Sequence, residues 1–265
     1  MTVAIIGVGM MGESLLAGLL RSGWDPATIR AADSRPACRQ AIADKYGVWT
    51  GTAVEAVEGA DTVIVVVKPQ DVIPLLGDIS PALERGCLII SLAAGLTIAT
   101  IESSLVMEFP VVRVMPNTPA VVGEAMAVIS PGPLATHDHV ARTQTLMSAV
   151  GKVLVIAEKY LDVVTAVSGS GPAYIMYIVE AMIDAGVMLG LPRATVTDLV
   201  KQTVYGSAKM LLDTDDHPTV LKENVTSPGG TTAAALRALE DRGVKAAFAA
   251  AMEAAFTRSQ ELGRA

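Results

Sequence analysis

A segment rich in glycine and hydroxyl side chains, residues 221–232, lies between two helical patterns late in the chain. Four hydroxyls accompany two adjacent glycines, which let the backbone approach a ligand closely. A strong helix-forming sequence follows at residues 233–240, and the free N–H groups at a helix start suit a carboxylate. We therefore predict a site for a small anion, with helix capping by Ser or Thr in a Pro-Gly turn as the structural alternative. The residues assigned to the site are Asn224, Val225, Thr226, Ser227, Gly229, Gly230, Thr231 and Thr232.

A second candidate site lies near the start of the chain, where a glycine motif joins a strand pattern to a helix pattern. Residues 3–6 form an apolar run typical of a buried parallel strand, and residues 13–21 place leucines on one helical face. Glycines between such elements make a tight turn, admit a pyrophosphate and allow close helix–strand packing. This context predicts a dinucleotide-binding loop rather than only a structural turn. Its residues are Ile6, Gly7, Val8, Gly9, Met10, Met11 and Gly12.

Three polar residues after the next strand pattern give conflicting indications about which dinucleotide binds. Asp33 follows Gly12 by about 20 residues, where an acidic side chain accepts a hydrogen bond from the ribose 2′-hydroxyl of NAD. Arg35, which follows Ser34, can instead hold the 2′-phosphate of NADP. Because a carboxylate repels that phosphate, Asp33→Ser is expected to shift the preference toward NADPH. A helix N-cap at Asp33 or Ser34 is the structural alternative.

Four further motifs accompany these sites in a characteristic order. They are Val66-Val67-Lys68-Pro69, Ala93-Ala94-Gly95, Met115-Pro116-Asn117-Thr118-Pro119 and Ser168-Gly169-Ser170-Gly171-Pro172-Ala173-Tyr174. With the two sites above, they make the chain resemble the pyrroline-5-carboxylate reductase family over nearly its whole length. The resemblance implies an oxidoreductase that reduces 1-pyrroline-5-carboxylate to proline with NADPH or NADH, the last step of proline biosynthesis.

The resemblance also implies roles in cofactor binding. Residues 66–69 contact the cofactor near its ribose and nicotinamide, and residues 93–95 belong to the same site. Asn117 can hydrogen-bond the cofactor or the substrate, with an Asn-capped turn as the alternative. The family commonly uses NADPH and often has a small hydroxyl residue where Asp33 falls. The choice between NADP(H) and NAD(H) therefore stays open.

For the substrate, the resemblance implies that the carboxylate binds residues 224–232. It also implies that Thr232 hydrogen-bonds the ring nitrogen and helps to deliver its proton. No histidine is placed as an acid or base, but a basic imine nitrogen makes the protonated substrate a good hydride acceptor. The alternatives are a related hydroxy-acid dehydrogenase and a dinucleotide-sensing protein without activity. The first needs a catalytic lysine, and residues 174–191 contain neither Lys nor Arg.

Composition restricts the possible partners and compartment. The net charge of −7 and the lack of Lys/Arg clusters argue against nucleic-acid binding. Cys38 and Cys87 are too few for a disulfide framework or a metal site, and they suggest free thiols in a cytoplasmic protein. Neither a signal sequence nor a membrane span is expected. Glu180 and Asp184 share a helical face, but no His or Cys completes a ligand set, so no metal is predicted.

The pattern of the chain changes near residue 158. Before it, eight strand patterns alternate with helices, which predicts an α/β fold with a doubly wound Rossmann-type sheet and an antiparallel edge. After it, helices are predicted at residues 160–190, 193–213, 217–224 and 231–263. We assign residues 1–158 to a dinucleotide-binding domain and residues 159–265 to an all-helical dimerisation and substrate domain. Its apolar helices predict a homodimer, and the resemblance implies an interlocked dimer that can assemble into a decamer.

Overall fold

The computed structural model describes residues 1–263, of which residues 171–254 form one compact unit and the remainder forms another. We call these the helical unit and the sheet unit. The strands of the sheet unit are β1 (Val3–Ile6), β2 (Ile29–Ala32), β3 (Trp49–Gly51), β4 (Thr62–Val65), β5 (Leu88–Ser91), β6 (Val111–Met115), β7 (Ala125–Pro131) and β8 (Gly151–Val155). They lie in one sheet in the order β3-β2-β1-β4-β5-β6-β7-β8.

The direction of the strands confirms the predicted fold class. Strands β1 to β6 are parallel to one another, β7 is antiparallel to β6, and β8 is parallel to β7. The order of the first six reverses between β1 and β4, and ligands bind at the carboxyl ends of strands beside such a reversal. The helices of this unit are α1 (Met10–Arg21), α2 (Pro36–Tyr46), α3 (Ala53–Val57), α4 (Pro69–Ile79), α5 (Ile98–Ser103), α6 (His137–Ser148) and α7 (Leu161–Val164).

Both faces of the sheet are covered because the side chains of each strand alternate between two apolar layers. In β1, Val3 and Ile5 belong to the layer that contains the leucines of α1. Ala4 and Ile6 belong to the opposite layer, with Leu76 of α4. The central strand is therefore enclosed on both sides, and it holds the glycine loop after it on a rigid support.

The helical unit contains α8 (Gly171–Met188), α9 (Arg193–Asp213), α10 (Pro218–Asn224), α11 (Thr231–Asp241) and the beginning of α12 (Val244–Leu262). The prediction of one helix over residues 231–263 is wrong, since Gly243 adopts a φ of 66° and separates α11 from α12. The predicted helix 160–190 is likewise interrupted, by a π-helical turn at Thr165–Gly169.

The helices of this unit leave much apolar surface uncovered in the single chain. No residue of α8 is buried among the described residues, and Tyr177 and Met188 are 75% and 86% exposed. Surface of this kind is typical of a face that binds another protein. Within residues 1–263, none of the helices is both long and apolar enough to span a membrane.

An ion pair between a buried arginine and a partly exposed glutamate joins β6 to the segment that leads into α7. Arg113 is 6% exposed, and its guanidinium lies 3.1 Å from Oε1 of Glu158, which also accepts a 2.7 Å hydrogen bond from the Ile98 amide. We expect Glu158→Ala to lower the free energy of unfolding by about 3 kcal/mol, because it leaves a buried charge unpaired. Denaturant titration measures this, with the exposed Glu84→Ala as the control at about 0.5 kcal/mol or less. Equal losses in the two variants would contradict the expectation.

Candidate active site

The glycine loop after β1 lies at the carboxyl edge of the sheet, where its first and last glycines pack tightly. Gly7 has a φ of 97°, and its amide donates to the Ala32 carbonyl at 2.8 Å. A Cβ on Gly12 would lie 2.0 Å from the Gly7 carbonyl oxygen, so a larger residue cannot fit without moving the backbone. The loop is thus turned sharply from β1 into α1, as a dinucleotide-binding loop requires.

Gly9, the middle glycine of this loop, faces open space, in contrast to the tightly packed Gly7 and Gly12. Gly9 is the N-cap of α1, where no side chain caps the helix, and a Cβ built on it would meet nothing within 4 Å. The first-turn N–H groups of α1 are therefore uncapped and reachable through open space. Such an N-terminus fits a pyrophosphate, which uses both the N–H donors and the helix dipole. The residues present consequently fit a dinucleotide.

Two further motifs lie after the neighbouring strands at the same edge. The Val66 amide donates to the Ile6 carbonyl at 2.8 Å, and the Val66 carbonyl oxygen lies 2.8 Å from the position of a Gly7 Cβ. Lys68, the N-cap of α4, is exposed at this edge. After β5, Gly95 has a φ of 81°, and its Cβ position lies 3.3 Å from the Leu262 backbone near the end of α12.

The structure therefore places all of the predicted cofactor residues at one edge of the sheet. They lie at or directly after the carboxyl ends of five neighbouring strands, β2, β1, β4, β5 and β6. The set comprises Ile6, Gly7, Val8, Gly9, Met10, Met11, Gly12, Asp33, Ser34, Arg35, Val66, Val67, Lys68, Pro69, Ala93, Ala94, Gly95 and Asn117. The packing of the Leu262 backbone against Gly95 was not visible in the sequence, because 167 residues separate them.

Asp33 is enclosed by donors at the end of β2. Its carboxylate accepts from the backbone amide, Nε and Nη2 of Arg35 at 2.9–3.1 Å, and from the Val8 amide at 3.3 Å. Burial acts to raise the pKa of Asp33, but the hydrogen bonds and charge of Arg35 outweigh it and hold the pKa below its ordinary value. Asp33 is therefore ionised and paired. Ser34 is exposed beside it.

Asn117 joins two segments through its side-chain amide. Its Oδ1 accepts from the Met126 amide at 2.8 Å, and its Nδ2 donates to the Ser168 carbonyl at 3.1 Å. The π-helical turn that contains Ser168 also packs on β6, since a Cβ on Gly169 would lie 2.6 Å from Cε of Met115. Asn117 thus fixes the turn beside the cofactor edge and keeps one amide hydrogen for a ligand. Sequence reasoning did not connect these two motifs.

The predicted substrate segment lies in the helical unit. Helix α11 begins at Thr231 with Gly230 as its N-cap, and no side chain caps it. Gly229 adopts a φ of 68°, and the Gly230 amide donates to the Ser227 carbonyl at 3.0 Å. The Thr226 hydroxyl, just after the end of α10, donates to the Lys222 carbonyl in the last turn of that helix at 2.6 Å. The alternative predicted from the sequence, in which a Ser or Thr side chain caps this helix, is therefore not what the structure has.

The two threonines at the start of α11 have unused hydroxyls. Within residues 1–263, neither Thr231 nor Thr232 makes a side-chain hydrogen bond. Thr232 is partly buried and Thr231 is exposed. An uncapped helix start with free hydroxyls in its first turn can bind a carboxylate and a second polar group of the same small molecule.

Comparison with known proteins identifies the family. Residues 158–262 match the family model for pyrroline-5-carboxylate reductase dimerisation. The chain is 41% identical to pyrroline-5-carboxylate reductase from Corynebacterium melassecola over 99% of both chains. It belongs to the pyrroline-5-carboxylate reductase family. Residues 2–95, which contain the glycine loop, also match the family model described as NADP oxidoreductase, coenzyme F420-dependent.

Solved structures agree with this assignment to the pyrroline-5-carboxylate reductase family. The pyrroline-5-carboxylate reductase of Coxiella burnetii is 34% identical, with a TM-score of 0.93 over 98% of both chains. The Plasmodium falciparum pyrroline carboxylate reductase, solved with NADP bound, is 31% identical, with a TM-score of 0.89 over 99% of this chain and 98% of that one. The predicted fold and resemblance are both confirmed.

Proposed function

We propose that the protein reduces 1-pyrroline-5-carboxylate to L-proline with NADPH or NADH, and that residues 224–232 bind the substrate. The similarity to reductases of this name extends over nearly the whole chain and supports the reaction. The observation that carries the substrate assignment is the uncapped start of α11, with two free threonine hydroxyls. The open N-terminus of α1 supports the assignment of the cofactor.

The substrate carboxylate binds the backbone N–H groups at the start of α11. Gly230 carries no side chain that could occupy this position, and Gly229 turns the backbone in a conformation that other residues rarely adopt. Since the helix dipole also favours negative charge there, the carboxylate end of the molecule is oriented first. Asn224, Val225, Thr226, Ser227 and Thr231 complete this proposed site.

Thr232 is the proposed catalytic residue. Its hydroxyl accepts from or donates to the ring nitrogen, which fixes the orientation of the imine for hydride transfer. NAD(P)H supplies the hydride when bound. The hydride adds to the carbon of the protonated imine, the C=N π pair becomes the nitrogen lone pair, and Thr232 helps to deliver the next proton to nitrogen. Orientation and proton delivery are thus the contributions of this chain.

Oligomerisation forms part of the proposal, with residues 159–265 as the dimerisation and substrate domain and residues 1–158 as the cofactor domain. The family match to residues 158–262 and the exposed apolar helices support a homodimer. Its further assembly into a decamer is proposed from the resemblance alone. We place the protein in the cytoplasm, where its thiols, both free, stay reduced.

We expect sedimentation at micromolar concentration to give a dimer or a larger assembly, because burying apolar helix surface drives association. Tyr177→Glu should weaken the assembly by placing a charge on the exposed surface of α8. Val106→Glu, which changes an exposed apolar side chain of the sheet unit, is the control and should not. A folded monomer of the parent protein would contradict the proposal.

The reaction itself is tested by steady-state reduction of the imine with NADPH and NADH in parallel. Purified protein should form proline in amounts equal to the nucleotide oxidised. A protein that binds either nucleotide but forms no proline would be a dinucleotide-sensing protein, and the proposed activity would be wrong.

A further inference from the structure

The carboxylate of Asp33 has no accepting capacity left for a cofactor hydroxyl. A carboxylate offers about four lone-pair positions. At Oδ1 they meet the Arg35 amide and Nε, and at Oδ2 they meet Arg35 Nη2 and the Val8 amide. The Asp33 side chain is only 7% exposed. A ribose 2′-hydroxyl would therefore have to displace Arg35 before Asp33 could accept its proton.

Arg35 is the more accessible member of the pair, because most of its side chain is exposed to solvent. The side chain is 66% exposed although two of its nitrogens bind Asp33. Nη2 also donates to Sγ of Cys38 at 3.4 Å, so of the five N–H donors of the guanidinium the two on Nη1 remain for another anion. The positive charge of Arg35 also neutralises the Asp33 carboxylate, which would otherwise repel a phosphate. Ser34 adds an exposed hydroxyl next to it.

The backbone beside this pair favours an anion as well. Arg35 is the N-cap of α2, and no side chain caps that helix. Pro36 has no amide hydrogen and the Cys38 amide donates to the Arg35 carbonyl at 3.1 Å, so the Ala37 amide is the first-turn donor that remains. Arg39, one turn along, donates to the Asp33 carbonyl at 2.8 Å and so fixes the turn between β2 and α2. The Ala37 amide, the Arg35 guanidinium and the exposed Ser34 hydroxyl are together suited to bind a phosphate group.

We propose that Asp33 is a positioning residue that holds Arg35 for the adenosine 2′-phosphate of NADP(H). In this arrangement Asp33 does not select NAD(H), although its place in the sequence suggests that it does. The proposal rests on the nicotinamide-nucleotide dependence of the proposed function. It reverses the expected effect of Asp33→Ser, which should weaken NADPH binding, since Arg35 loses the group that orients it.

Equilibrium binding of nucleotide fragments tests the proposal without turnover. Adenosine 2′,5′-bisphosphate and 5′-AMP differ by the 2′-phosphate alone, and titration calorimetry at one fixed ionic strength gives both dissociation constants. The parent protein should bind the bisphosphate about tenfold or more tightly than AMP. Arg35→Gln should remove most of that preference while leaving AMP affinity within about threefold. Arg85→Gln, which removes the same charge from the exposed turn before β5, is the control.

Asp33→Asn separates positioning from repulsion. It keeps the size of the side chain but weakens its hold on Arg35, so the preference for the bisphosphate should fall about threefold to tenfold. A merely structural role would weaken both ligands equally, and a repulsive role would strengthen the bisphosphate. Either result, or a parent protein that prefers AMP, would overturn the proposal. These constants do not depend on the imine, so they stand even if the protein forms no proline.

Discussion

Thr232→Ala is expected to lower kcat by about one to two decades while cofactor affinity changes little. In the proposed mechanism the hydroxyl contacts the ring nitrogen as hydride arrives, so this contact would be stronger in the transition state than in the ground state. One charge-assisted hydrogen bond is worth roughly 1.5–3 kcal/mol, which corresponds to that loss of rate. Steady-state kinetics together with direct cofactor titration measures both quantities.

The matched variant for this position is Thr232→Ser, which keeps the hydroxyl and should retain most activity. Since α11 is capped by no side chain and Thr232 lies inside the helix, Thr232→Ala should not lower the melting temperature appreciably. A role in helix stability alone predicts the reverse, with a lower melting temperature and a nearly intact kcat. If Thr232→Ala turns over like the parent, the assignment of this hydroxyl to the chemistry is wrong.

Gly9→Ala is expected to weaken cofactor binding by about two decades with little effect on folding. Its backbone, with a φ of −71° and a ψ of −166°, suits any residue, and the added methyl would meet no protein atom within 4 Å. The methyl would instead occupy the space through which a pyrophosphate reaches the N–H groups of α1. Losing about two such charge-assisted bonds gives the expected change in dissociation constant, measured by calorimetry with NADPH.

Gly12→Ala is the matched variant, because it adds the same methyl group at a position where the surrounding protein leaves no room for it. Its Cβ would lie 2.0 Å from the Gly7 carbonyl oxygen, so the loop or α1 must shift. We expect a loss of stability of about 3 kcal/mol or more, against about 1 kcal/mol or less for Gly9→Ala. Thermal unfolding distinguishes them. Unchanged NADPH affinity in a folded Gly9→Ala protein would show that the pyrophosphate lies elsewhere.

Most of the sheet unit could be predicted from sequence because its signals are local. Each strand is a short apolar run, and the glycine loop stands directly between β1 and α1. The break between α11 and α12 was missed because Gly243 is a single residue within a strong helical pattern. One glycine costs only about 1 kcal/mol in a helix, so it does not by itself predict an end.

The contacts within the candidate site were less accessible to sequence reasoning because they join distant segments. The position of Asp33 in the sequence predicts that it accepts a hydrogen bond from a ribose hydroxyl. In the structure its carboxylate instead accepts from Arg35 and from the Val8 amide. Asn117 is predicted from the sequence to contact a ligand. In the structure its Oδ1 accepts from the Met126 amide of β7 and its Nδ2 donates to the Ser168 carbonyl. In both cases the residue type indicates which hydrogen bonds the side chain can make. Only the three-dimensional structure shows which of these donors and acceptors are already paired within the protein.

The most direct test of the proposed reaction follows the hydride itself. Purified protein is given 1-pyrroline-5-carboxylate and NADPH that carries deuterium at the transferred position of the nicotinamide, and the proline is analysed by mass spectrometry and NMR. The account predicts one deuterium per proline, on the ring carbon that was the imine carbon, in an amount equal to the NADPH oxidised. Proline without deuterium at that carbon, or no proline at all, would contradict direct hydride transfer by this protein.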